Sequence, residues 1–324
     1  MKRREFIAGL AAAAWSPSVH AQSASRRYRI GMLDTSLRAL NTNFGVFQQA
    51  LLERGFVEGR NVTFEYRSAD GRNESFAEPA SELVRLDVDV IVTRGTPAAL
   101  AAKAATTTIP VVMAAVGDPI AIVRGQPSGN MTGFGANARG IEGKRVAILK
   151  DMLPKVERVA ALMNLSNPSR RSEWNEIDAS ARALGIARQV LDTRTAADIE
   201  HSFDAASRWP ADALVVGSDT VMQTNQALVV ELAAAHRVPA MYTFRDFVDA
   251  GGFASYGVSL PDLYRRAAAY VDKILKGTRP DELPVEQPTK FELVINLQAA
   301  KAVGVVLPST LLSRADVVIA GRMP

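Results

Sequence analysis

Cysteine is absent from all 324 residues. That excludes a disulfide framework, thiolate metal sites, a cysteine nucleophile and a lipid-anchored cysteine. Histidine is scarce as well, and beyond residue 21 the chain holds only His201 and His236. No HExxH, GxSxG or P-loop pattern occurs. His236 follows an Ala-rich helical stretch, where an imidazole interacts with the helix dipole, so it is a poor catalytic candidate. Carboxylates are plentiful, but sequence cannot pair two of them at the separation acid/base chemistry requires. This inventory disfavours an enzyme and gives no reason to expect a cofactor or metal. No run of about eighteen uncharged apolar residues exists, so no segment is expected to span a bilayer. Charge of one sign is lacking too. The formal net charge is +4, too small to argue for nucleic acid as a partner. The pairs Arg170-Arg171 and Arg265-Arg266 read as solvated helix faces.

What is present starts with an address. Lys2-Arg3-Arg4, an apolar stretch from Phe6 to Trp15 and Val19-His20-Ala21 predict an export signal over residues 1–21, cleaved after Ala21. Arg3-Arg4-Glu5-Phe6-Ile7 resembles the twin-arginine signal, while Lys2 before the pair leaves ordinary secretion open. The expected location is the periplasm, as a freely diffusing protein.

The remaining chain states one strand, loop, helix pattern twice. Leu33-Asp34-Thr35-Ser36 after an apolar run is echoed by Met163-Asn164-Leu165-Ser166. The stretch from Phe44 to Gly55 matches that from Trp174 to Gly185, each ending at a glycine where a helix stops. Asp89-Val90-Ile91-Val92-Thr93 parallels Asp212-Ala213-Leu214-Val215-Val216, and Ile109-Pro110-Val111-Val112-Met113 parallels Val238-Pro239-Ala240-Met241-Tyr242. Buried parallel strands resemble one another wherever they occur, but the order and offsets here favour duplication. At this length and 48% hydrophobic content the chain can bury two cores. Strands alternating with helices predict the doubly wound α/β class, in which ligands bind at the carboxyl ends of strands. Two similar lobes with a cleft between them follow.

Polar residues followed by proline open helices after strands at Thr96-Pro97, Asp118-Pro119 and Asn167-Pro168. Plain capping explains each one. Their shared place at strand ends would also aim helix N-termini at a ligand anion. Phe134, Asp219, Tyr242, Phe244 and Tyr256 occupy comparable junctions, where a ring could stack and Asp219 could meet an ammonium. Phe244 reads as core, Tyr242 and Asp219 as cleft residues, and Tyr256 as lining the cleft or bracing the hinge. Phe44 and Trp174 sit at matching repeat positions and read as helix-face core, with cleft exposure of Trp174 as the alternative.

Gly95-Thr96-Pro97-Ala98-Ala99-Leu100, Thr108-Ile109-Pro110-Val111-Val112, Gly117-Asp118-Pro119, Gly129-Asn130-Met131-Thr132-Gly133, Leu153-Pro154 and Asn164-Leu165-Ser166-Asn167-Pro168 come in an order that resembles a known family. Glu292-Leu293-Val294-Ile295-Asn296-Leu297 with Ala299-Ala300-Lys301-Ala302 extends the match. The family is that of ABC-transporter substrate-binding proteins, which includes tryptophan- and tyrosine-binding receptors. The resemblance implies a type I periplasmic-binding fold of two Rossmann-like lobes joined by three crossovers. The segment between Asp118 and Asn130 is shorter and less Gly-rich than in the family. Three crossings would place lobe one at residues 27–135 plus 258–287 and lobe two at 136–257 plus 288–324.

The expected function is capture of a small solute, an amino acid or aromatic carboxylate, by a monomeric periplasmic receptor that closes by hinge motion and serves an inner-membrane ABC permease. Ser36, Thr96, Asp118, Phe134, Asn164, Asn167, Asp219, Tyr242 and Tyr256 are the expected ligand-binding residues. The competing readings are an exported enzyme using Asp118 as base and a ligand sensor on the same fold.

Overall fold

Two sheets with one internal order account for the doubling. The computed structural model describes residues 26–35, 37–69, 73–124, 129–217 and 219–321. The expected export signal and the candidate Ser36 lie outside the described residues. The strands are β1 (Tyr28–Asp34), β2 (Val62–Ser68), β3 (Val90–Arg94), β4 (Val111–Val116), β5 (Met131–Gly135), β6 (Arg158–Met163), β7 (Ala187–Asp192), β8 (Ala213–Val216), β9 (Ala240–Tyr242), β10 (Ala254–Gly257), β11 (Val285–Glu286), β12 (Glu292–Asn296) and β13 (Val317–Ile319). The α-helices are α1 (Thr42–Leu52), α2 (Ala77–Arg85), α3 (Thr96–Ala105), α4 (Pro119–Val123), α5 (Ile141–Met152), α6 (Pro168–Ala183), α7 (Ala196–Arg208), α8 (Thr220–Thr224), α9 (Gln226–Ala235), α10 (Arg245–Asp249), α11 (Leu260–Leu275), α12 (Leu297–Ala302) and α13 (Ser309–Leu312).

The first sheet runs β11-β5-β4-β3-β1-β2 and the second β13-β12-β10-β9-β8-β6-β7. Laying β6 to β10 over β1 to β5 reproduces the same strand order. Pairings are parallel except for β10 with β12. Buried on both faces, β3 and β4 read as unbroken apolar runs rather than alternating ones. Each sheet has an apolar cluster on either face: Phe47, Val92 and Tyr264 on one side of the first and Leu33, Leu83 and Ala99 on the other. The second sheet is covered by Val146, Ile177 and Ile295 on one face and by Phe203, Val229 and Phe247 on the other.

Local devices repeat along with the topology. The Asp89 carboxylate accepts from the Arg29 amide at 2.7 Å, and Asp212 accepts from the Arg158 amide at 2.8 Å. Each aspartate therefore pins the start of its lobe's third strand to its first. Helices α1 and α6 both stop at left-handed glycines, Gly55 with φ 91° and Gly185 with φ 67°. A residue with a Cβ disfavours that conformation.

The chain crosses between the sheets three times. It leaves β5 for α5, returns from β10 into α11, which packs against α1 and β4, and leaves again after β11 for β12. The short β11, between Pro284 and Pro288, pairs with β5 as an extended return strand. The fold is the two-lobed type I arrangement expected from the sequence. No helix among the described residues is long and apolar enough to cross a membrane.

Candidate ligand-binding cleft

In both sheets the strand order reverses beside the first strand of the lobe, and there the loops after the strands face the opposite lobe. From the first lobe, Arg94 stands at the last position of β3. Gly95, held at φ 82°, lets the backbone turn directly into α3. A Cβ on Gly95 would come within 2.7 Å of Thr35 Cγ2. Arg94 is 4% exposed, lies 3.9 Å from Asp34 and donates to Gln223 Oε1 of the second lobe at 2.7 Å. Its guanidinium also sits 5.9 Å from the Phe244 ring centroid, within cation–π range. Asp34 is fixed from behind by donors from Asn41, at 2.9 Å, and Tyr264.

From the second lobe, Asn167 caps α6 by accepting from the Ser169 amide at 3.2 Å, and Arg170 follows one residue on. Arg170 is 5% exposed, and its Nη1 lies 2.5 Å from Glu173 Oε2. Its Nε has no hydrogen-bond partner among the described residues. Asp219 caps α8, accepting from the Val221 and Met222 amides at 2.9 and 3.3 Å. These groups enclose an inner cavity of ≈ 40 Å³ between the lobes, lined also by Thr96, Asn137, Gln223 and Phe244. That is room for a few waters rather than a solute. The lobes are closed on each other: Thr224 donates to the Thr35 carbonyl at 3.2 Å, and Asn43 to Asp246 at 3.3 Å. A Cβ on Gly117 would lie 3.0 Å from Ser169 Cβ across the cleft.

Residues 36–319 match the family model described as ABC transporter substrate binding protein. The chain belongs to that family. This substrate-binding protein is 24% identical over 260 residues to a tyrosine-binding protein of Clostridioides difficile (strain R20291), covering 79% of this chain and 74% of the relative. A crystal structure of an ABC domain in complex with L-Trp from Streptococcus pneumoniae has a TM-score of 0.81 at 25% identity, over 90% of this chain and 100% of that one. A conserved domain protein from Vibrio cholerae gives 0.82 at 25% identity, with the same two shares. The ligand-free, open structure of a substrate-binding protein from Clostridium difficile gives 0.61 at 23% identity, over 91% and 100%.

The structure of this substrate-binding protein gathers some of the sequence candidates at the cleft and disperses others. Thr96, Asn167 and Asp219 line the inner cavity. Thr96 does not cap its own helix as the sequence suggested; Gly95 takes the capping position, and Thr96 Oγ1 accepts instead from the Gly117 amide at 3.2 Å. Asp118 is exposed, caps α4 through the Ala121 amide at 3.1 Å, and accepts from Gln287 at 3.3 Å. Asn164 is used locally, accepting from the Ser166 amide at 3.0 Å and its hydroxyl at 2.6 Å.

Two aromatic candidates are corrected. Phe134 is 1% exposed and packs on Tyr270 at 4.6 Å with Arg266 over its ring, so it belongs to the core of the first lobe. Tyr242 lies inside β9, paired with Val216, and its side chain stands off the sheet face. There it stacks on Phe247 at 4.9 Å and lines a separate cavity of ≈ 400 Å³ within the second lobe. Burial raises its hydroxyl pKa.

Phe244, two residues past the strand, is the ring that reaches the cleft. Tyr256 lies in β10 and contacts α5: its carbonyl accepts from Arg145 Nε at 2.7 Å, and its ring carries Lys144 at 4.7 Å. Trp174 is half-buried against the second-lobe core and Phe44 is buried in the first, as helix-face residues.

Sequence reading missed Arg94, Asn137, Arg170 and Gln223. Arg94 carried a signal, a cation ending the apolar run Val90-Ile91-Val92-Thr93. Arg170 is a correction, since it is buried in the cleft while its neighbour Arg171 is exposed. Its place three residues after the helix cap Asn167 turns it inward.

Proposed function

We propose that this chain is the periplasmic receptor of an ABC import system, capturing a small carboxylate-bearing solute with an aromatic or apolar body and presenting it to an inner-membrane permease. The observation that carries this reading is Arg170, buried in the cleft with its Nε unpartnered among the described residues, beside the N-termini of α3 and α6. A guanidinium edge and two helix dipoles of that sign suit a carboxylate. Phe244 offers a wall for a flat group.

The tyrosine-binding and L-Trp-bound relatives support an aromatic amino acid as the solute. The higher TM-score to the L-Trp complex than to the open, ligand-free structure fits a closed arrangement of the lobes. In this mechanism the lobes, residues 27–135 plus 258–287 and 136–257 plus 288–324, move as units about the three crossovers. Solute stabilises the closed state by bridging them.

Thermal unfolding of residues 22–324 against amino acids, aromatic acids, sugars and small organic anions tests this. A solute at a hundred times its dissociation constant adds about 2.7 kcal/mol to the folded state. The expected result is a shift with aromatic amino acids or aromatic carboxylates and no turnover of the compound. A shift confined to sugars, or none at all, overturns the reading.

A further inference from the structure

The cavity of ≈ 400 Å³ bordered by Tyr242 lies within the second lobe and, among the described residues, shares no lining residue with the inner cavity of the cleft. Val238 and Phe253, which precede β9 and β10, belong to its wall, so it opens toward the amino-terminal ends of those strands. The cleft forms at the carboxyl ends. Val230 and Ala233 of α9 line one side, and Ala299 and Ala302 of α12 another. An apolar cavity of about 150 Å³ already admits benzene, and ligand pockets begin near ~300 Å³. The space is that of a small-molecule site.

Its chemistry differs from that of the cleft. Among the described residues no Lys, Arg or His lines it, and Asp249, the one carboxylate on its wall, is engaged by Arg245 at 3.1 and 3.2 Å. A ligand carboxylate would lose its water there, beside an acid and without a cation to meet it. Of the neutral polar side chains, Gln298 is exposed, and Asn296 caps α12 with its Oδ1 engaged by two amides. Tyr242 supplies the remaining one. It is 0% exposed, and its Oη has no hydrogen-bond partner among the described residues. Burial raises its pKa, so the phenol stays protonated and acts as a donor. A buried hydroxyl in that state is costly, and a ligand oxygen would satisfy it. The ring is held in place by Phe247, stacked at 4.9 Å, and by Gly252, where a Cβ would come within 2.5 Å of Tyr242 Cε2.

We propose that this cavity is a second binding site, for an uncharged, mainly apolar molecule of one or two rings carrying a carbonyl-type acceptor, with Tyr242 Oη as the donor to it. The site is independent of carboxylate capture in the cleft, and its occupant belongs to another chemical class.

Methyl-resolved NMR of residues 22–324 with acetophenone, cumene and benzoate tests this. The three probes share one ring and differ in the acceptor, which is a ketone, absent, or a charged carboxylate. Acetophenone is expected to shift the methyls of Ala233, Val248 and Ala299 and to leave Ala136, on the cleft wall, unmoved. Benzoate is expected to leave the cavity methyls unmoved. Tyr242→Phe keeps the ring and removes the hydroxyl, so acetophenone is expected to weaken about fivefold while cumene stays within about twofold. Should that variant not fold, the contrast between acetophenone and benzoate in wild type decides alone. No shift of the cavity methyls at millimolar acetophenone, or benzoate shifts of equal size there, overturns the site. An equal change for acetophenone and cumene in Tyr242→Phe overturns the donor role of Tyr242 and the ligand class with it. Each of these results leaves carboxylate capture at Arg170 standing.

Discussion

At the carboxyl end of β1, Asp34 is held by Tyr264 and Asn41 and in turn faces Arg94. At the equivalent end of β6, Asn164 folds back on Ser166 and has no hydrogen bond across the cleft among the described residues. The third strands diverge in the same way, β3 ending in the cation Arg94 and β8 leading to the anion Asp219. The duplicated backbone thus supplies two matching sets of strand ends, and the side chains there have taken complementary rather than equal roles. Charge is buried in both lobes, Arg145 and Glu142 at 0% and 1% exposed and Arg94 and Asp34 at 4% and 0%, but Arg145 and Glu142 form a close ion pair whereas Arg94 lies 3.9 Å from Asp34, and Arg145 also donates to the Tyr256 carbonyl of β10. The second lobe therefore depends more on its buried ions, and the first on a hydrogen-bonded brace.

The sharpest break of that comparison is Arg145→Leu against Arg94→Leu. Arg145→Leu strands the buried Glu142 charge and is expected to cost about 3–5 kcal/mol. Arg94→Leu leaves Asp34 with its Tyr264 and Asn41 donors, so about 1–2 kcal/mol is expected. Urea unfolding of both variants measures the gap, and equal losses would show that the two lobes carry buried charge alike.

Closure comes next in size. Gly117→Val places side-chain atoms where Ser169 approaches across the cleft. A larger radius of gyration by X-ray scattering is expected, with solute affinity reduced about tenfold. An unchanged radius would mean the lobes accommodate the side chain by sliding.

The pH response sharpens the contrast further. Glu173 holds its proton up to about 8 in the folded protein, whereas an unfolded chain releases it near ~4.3. Through that window the unfolded chain binds fewer protons, so stability falls as pH rises. Glu173→Gln cannot ionise and is expected to flatten the fall in melting temperature between about pH 5 and about pH 8. A slope identical to wild type would assign the response to other groups.

Smallest is the paired test of the repeated aspartates. Asp89→Ala and Asp212→Ala each remove a carboxylate that binds the amide of the first strand. About 1 kcal/mol is expected from each, and a difference greater than that by urea unfolding would break the equivalence of the two devices.

Much of the architecture was legible because period and punctuation are local. The unbroken apolar runs of β3 and β4 announced strands covered on both faces, and Gly55 and Gly185 marked helix ends where only a residue without a Cβ turns cheaply. Asn167 and Asp118 were legible as caps for the same reason, since a cap acts on amides two or three residues away. Thr96 was misread as a cap because Gly95 turns the chain one residue earlier. Tyr242 was misread as a cleft residue because sequence does not show that its ring stands on the face of β9, whereas Phe244, read as core and buried there, also lines the cleft cavity two residues past the strand.

The sequence alone determined the two lobes, their parallel sheets and the family to which the chain belongs, since each follows from local periodicity and the order of short motifs. The tertiary structure alone decided which charges share the cleft. Arg94 meets Gln223 across 129 residues and Arg145 meets Tyr256 across 111. Separations of that length leave no periodic trace in the chain, because Arg94 and Gln223 meet only across the cleft between the lobes, and Arg145 and Tyr256 only through the packing of α5 on the second sheet.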